Sequence, residues 1–123
     1  MKLAAYGAVA AGSVIGSLAR WGLGLALAGL PGAALPWGTL AVNITGSFAI
    51  GMLSAHPRLD HPLARHFTMT GVCGGYTTFS AFSFETLRLL QTGETVTAVA
   101  YAVLTAAASL LAVWLGELLG GQS

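Results

Sequence analysis

The chain has 123 residues, of which 55% are hydrophobic and 7% charged, with a formal net charge of +1. A soluble domain carries roughly 25% charged residues, so the composition excludes a soluble globular protein. The small net charge excludes a nucleic-acid binder driven by phosphate neutralisation. Spanning helices need about 20 apolar residues each. The uncharged runs predict four spans, at 3–29, 35–55, 64–90 and 95–118, in one all-α integral membrane domain covering 1–123. Cys73 is the single cysteine, so it has no internal disulfide partner and reads as a small packing residue.

Span one opens with Lys2 and an apolar run containing Ala8-Val9-Ala10, a small-residue pattern like a leader cleavage site. The apolar run continues past leader length, which favours a retained span. Gly12, Gly16, Arg20 and Gly24 share one i+4 row, a small-residue seam for another helix. A charge inside a span faces protein or a watery cavity. Arg20 therefore either attracts an anion, or snorkels to the interface or caps a neighbouring helix. A turn is expected at Leu30-Pro31-Gly32. In span two, Thr39, Asn43, Gly46, Ser47, Gly51 and Ser54 lie close to one face. The amide of Asn43 needs partners, from another helix or from a permeant species. The following loop holds His56 and His61, with His66 beyond it. Their spacing puts them on no common helix face, and no thiolate or carboxylate cluster joins them, so a solvated loop is favoured over a metal site.

Span three contains Gly74-Gly75 followed by Tyr76-Thr77-Thr78, and glycine and β-branched residues are poor helix formers. A break is expected near 73–78. In hydrocarbon a break survives only where protein or a cavity covers it, and its freed carbonyls form a natural cation site. Phe79 and Phe82 share a face, either as packing or with their positive ring edges aimed at an anion. Glu85 is the one carboxylate placed well inside a span: a vestibule group, a proton acceptor or a partner for Arg20. In span four, Thr97, Tyr101, Thr105 and Ser109 repeat every four residues and form a ladder of hydroxyls. Hydroxyls rotate to donate to an anion or a water, although in helices they commonly bond the i−4 carbonyl. The Lys/Arg bias between the two faces is weak and sets no orientation. Four short spans with outward small residues predict an oligomer whose polar path suits a small anion.

These residues resemble the Fluc (CrcB-type) fluoride channel family nearly end to end. The resemblance is carried by Gly12-x-x-x-Gly16-x-x-x-Arg20-Trp21, by Trp37-Gly38-Thr39-Leu40-x-Val42-Asn43-x-x-Gly46-Ser47-Phe48, by Gly71-x-x-Gly74-Gly75-x-Thr77-Thr78-Phe79-Ser80-x-Phe82, and by Tyr101-x-x-x-Thr105-x-x-x-Ser109. It implies an antiparallel, dual-topology homodimer in the prokaryotic plasma membrane. The dimer would export fluoride passively through two pores and relieve its toxicity. It implies an ion pathway of Asn43, Phe79, Phe82, Tyr101, Thr105 and Ser109, with Thr39, Arg20 at the vestibule and Glu85 at a matching acidic position. It also implies a structural, untransported Na+ held by backbone carbonyls of Gly74 and Thr77. Ala81, Ser17 and Thr105 depart from residues common in the family. No enzymatic step is implied. The rival readings are a small proton-coupled drug exporter built on Glu85 and an accessory subunit of a larger membrane complex.

Overall fold

The computed structural model describes residues 2–30 and 35–122. Helices α1 (Lys2–Leu27), α2 (Trp37–Ala55) and α6 (Thr95–Gly121) are each long and apolar enough to cross a membrane. No strand occurs among the described residues. Pro31 and Gly32 of the expected first turn lie outside the described residues, and Leu30 already follows the helix, its N–H donating to Leu27 O at 3.2 Å.

The remaining passage is segmented. It runs through α3 (Pro62–Arg65), a π-helical stretch (His66–Cys73), α4 (Gly74–Tyr76) and, after two extended residues, α5 (Phe79–Gln91). Pro62 opens α3, where its missing N–H is no loss. His61 Nδ1 accepts from Leu63 N and His56 Nδ1 from Arg58 N, each at 3.2 Å, so both histidines serve turns of the loop. α5 ends at the Thr92–Gly93 turn, where Gly93 has φ +81°, a left-handed conformation that favours glycine.

Two close helix contacts organise the bundle: α1 against the π-helical stretch and α4, and α2 against α6. Both are glycine seams. A Cβ on Gly12 would collide with Phe67 O and one on Gly16 with Val72 O. In the other pair, a Cβ on Gly51 would collide with Val113 O, on Gly116 with Phe48 O, and on Gly120 with Met52 O. With lipid as apolar as leucine, helix association depends on such close backbone approach.

The break falls within the expected 73–78 segment, at its end. Gly74 and Gly75 are helical, and the chain leaves the helix only at Thr77 and Thr78. Gly75 and Gly71 serve proximity: a Cβ on Gly75 would lie 2.8 Å from Ser13 O, and one on Gly71 2.8 Å from Gly12 Cα. Thr77 N still donates to Cys73 O at 3.0 Å, and the backbone of Thr78 is received by another side chain, as described next.

Candidate functional site

At the break, Thr77 has φ −82°, ψ 158° and Thr78 has φ −150°, ψ 123°. Asn43 of α2 meets this backbone with both ends of its amide. Its Nδ2 donates to Thr78 O at 3.1 Å, and its Oδ1 accepts from Thr78 N at 2.9 Å. Thr78 Oγ1 in turn accepts from Ala81 N at 3.1 Å and caps α5. Thus the interhelical bond foreseen as one reading of Asn43 is present. Thr77 Oγ1 donates back to Cys73 O at 3.0 Å.

Beside the break lies an open cavity of about 260 Å³, lined among others by Asn43, Phe79, Phe82, Thr105 and Ser109. The Phe79 and Phe82 ring centroids are 5.6 Å apart with planes tilted by 51°, and Phe82 continues to Tyr101 at 5.3 Å. Phe82 packs against the buried cluster around Tyr101, whereas Phe79 is 79% exposed. Thr105 Oγ1 and Ser109 Oγ are buried and have no hydrogen-bond partner among the described residues. Elsewhere in the bundle the ordinary helical solution is used. Thr45, Thr68 and Thr86 each donate to their own i−4 carbonyl at 2.7 Å. A buried hydroxyl without a partner is destabilising by roughly 1–3 kcal/mol, and the two residues that carry these hydroxyls both line the cavity.

The upper part of the same ladder is satisfied. Tyr101, fully buried, donates its OH to Glu85 Oε2 at 3.0 Å, and Thr39 Oγ1 donates to Glu85 Oε1 at 2.6 Å. Thr97, at the start of α6, lines neither this nest nor the cavity. Glu85 and Arg20 both border a second cavity of about 230 Å³, together with Gly24, Thr39, Thr78 and Ala81. They make no ion pair among the described residues; Arg20 Nε instead donates to Gly75 O at 3.3 Å. Arg20 thereby caps the end of α4, as one of its two readings foresaw, while also bordering the cavity. Of the roles open to Glu85, partner of Arg20 is the one the geometry does not support.

Thus Asn43, Phe79, Phe82, Thr105 and Ser109 gather at one cavity, and Thr39, Glu85 and Arg20 at the other, with Tyr101 joining the two through Phe82 and Glu85. Among the described residues no group of three or more His, Cys, Asp or Glu is placed to hold a metal. The carbonyl-bearing Gly74 is exposed, and a Cβ there would have only Met69 O within reach, at 3.8 Å. Ser47, on the polar face of span two but outside the expected pathway, also lines the first cavity, as does Ala106. Sequence reasoning missed the cap on α5. The cap was readable, because Thr78 stands three residues before the Ala81 N–H that it receives.

The chain is similar to known proteins along most of its length. The family described as CrcB-like protein, Camphor Resistance (CrcB), matches residues 7–117. A fluoride-specific ion channel FluC 1 of Rhodopseudomonas palustris (strain BisB18) is 48% identical over 122 residues, covering 95% of this chain and 86% of the relative. A fluoride-specific ion channel FluC of Thermus thermophilus is 48% identical over 124 residues, covering 98% of this chain and 97% of the relative.

Proposed function

The chain belongs to the CrcB family, and on that premise we propose that it is a fluoride channel of the prokaryotic plasma membrane, passing the ion down its gradient and so lowering its concentration inside the cell. One observation carries the reading: the partnerless hydroxyls of Thr105 and Ser109 at a cavity shared with Asn43, Phe79 and Phe82.

The physical problem is dehydration. Fluoride is small and holds its water tightly, so a path must offer replacement donors without binding the ion too well to release it. Thr105 and Ser109 each supply an O–H, and Asn43 keeps one N–H beyond the one that Thr78 takes. Phe79 and Phe82 supply positive ring edges. Arg20 places a fixed positive charge beside the second cavity, raising the local concentration of anions. Thr39 and Tyr101 are engaged by Glu85, so in this arrangement they hold the acidic group in place. No bond is made or broken, and the protein is not an enzyme.

The reading extends to assembly. Phe79, exposed in the single chain, is covered by a second copy in an antiparallel, dual-topology homodimer, which has two equivalent pores. The same reading places a structural Na+ at the break, held by the backbone carbonyls of Gly74, an exposed residue in the single chain, and of Thr77. Hard oxygen donors suit such an ion, and it neutralises carbonyls that hydrocarbon leaves unpaired. The proton-coupled exporter reading needs a carboxylate free to exchange protons in a substrate cavity. Glu85 instead receives two hydroxyl donors.

The test is fluoride efflux from liposomes holding the purified protein, followed with a fluoride electrode, with chloride efflux in parallel. Rapid fluoride loss without chloride loss is expected. No fluoride loss from a folded preparation would refute the reading.

A further inference from the structure

We propose that Asn43 is the positioning residue for α5: through Thr78 it sets where that helix begins and how its pore-side residues are aimed. An asparagine side chain carries one acceptor oxygen and two N–H donors. Asn43 spends the oxygen and one N–H on the two backbone groups of one residue, Thr78 N at 2.9 Å and Thr78 O at 3.1 Å. This is the pairing that a neighbouring strand gives an extended residue, and Thr78 is extended, with φ −150° and ψ 123°. A helix broken within a span leaves such groups without water, and one amide satisfies both.

The restraint continues along the chain. Thr78 Oγ1 receives Ala81 N at 3.1 Å and fixes the first turn of α5, the turn that carries Phe79 and Phe82. A second tie from α2, Thr39 to Glu85 at 2.6 Å, holds the same helix further along. Apart from these two polar ties α5 rests mainly on α6. Asn43 and Thr39 stand four apart on α2, one turn, so a single face of that helix holds α5 at two heights. A residue acting only on the ion would not need both ends of its amide tied to one peptide backbone.

The geometry stands without the fluoride reading; the consequence for flux rests on it. The experiment is solid-state NMR on isotope-labelled full-length protein in lipid bilayers, reading Thr78 and Ala81 amides, beside flux assays on the same preparations. In Asn43→Ala, Thr78 amide exchange should rise by about tenfold or more, and the amide signals of 79–82 should shift while those of 103–109 in α6 stay in place. The fluoride-to-chloride flux ratio should fall, a change that mere loss of folded protein does not produce. Asn43→Asp keeps an acceptor for Thr78 N but sets oxygen against Thr78 O. It should leave Thr78 N–H protected and still shift 79–82, which keeps the test usable if the alanine variant folds poorly. Thr78→Val, removing the cap and the hydroxyl contact with Ser80, should expose the Ala81 amide while leaving the Thr78 amide protected. Unchanged Thr78 protection and unchanged 79–82 signals in Asn43→Ala would overturn the proposal, whatever happens to flux. Should wild-type protein pass no fluoride while Asn43→Ala still frees the Thr78 amide, the channel reading falls and the positioning role is upheld.

Discussion

Two parts of one hydroxyl ladder meet opposite fates. Tyr101 donates a hydrogen bond to Glu85, which also accepts one from Thr39. One and two helical turns further on, Thr105 and Ser109 are buried with no acceptor among the described residues. The residue types and spacing are alike, and the difference comes from what faces them. α5 brings the Glu85 carboxylate to Tyr101, whereas Thr105 and Ser109 line a cavity with Phe79 and Phe82. A satisfied hydroxyl is structure. An unsatisfied one is a donor that an anion can use.

The two regions should therefore respond in opposite ways to loss of their hydroxyls. The largest effect is expected from Thr105→Val combined with Ser109→Ala. Hydrogen bonds to a charged group contribute about 1.5–3 kcal/mol each, so fluoride efflux should fall by roughly 100-fold or more if both donors strip the ion. The folded protein should be no less stable, because apolar groups replace hydroxyls that had no partner. Phe79→Ile sharpens the same side: it removes the ring edge but no hydrogen bond, and should reduce fluoride efflux by about tenfold with unchanged folded yield.

On the Glu85 side the signs reverse. Glu85→Ala leaves Thr39 and Tyr101 without their acceptor and should destabilise the fold by roughly 1–3 kcal/mol, seen as an earlier thermal transition in detergent. Tyr101→Phe removes one donor and keeps the ring packing against Phe82, and should destabilise by about 1 kcal/mol, the smallest effect of the set. Equal losses of stability in the Thr105/Ser109 and Glu85 variants would erase the distinction between the two regions.

Much of this arrangement was legible in the chain. Apolar run length marked the three continuous helices and the place of the segmented one, and the four-residue repeat put Tyr101, Thr105 and Ser109 on one stripe. The Gly12–Gly16 row met its partner as expected, because close approach depends on the absence of a side chain and not on the identity of the neighbour. The break was only partly legible. Helix propensity pointed to the glycines and to Thr77 and Thr78 alike; Gly74 and Gly75 stay helical, with Gly75 close against Ser13, and the chain departs at Thr77 and Thr78, where Asn43 receives the backbone of Thr78. That partner lies 35 residues away, and no local pattern announces it. The division of the ladder was illegible for the same reason: Glu85 and Tyr101 are 16 residues apart on different helices, so spacing alone assigned every rung the same standing.

The most direct test is a paired one: fluoride efflux from liposomes and thermal unfolding, both for Thr105→Val/Ser109→Ala against wild type. A large loss of efflux with stability held or raised is expected. Efflux at the wild-type rate, or a loss of efflux accompanied by an equal loss of folded protein, would contradict the claim that these free hydroxyls strip the ion of its water.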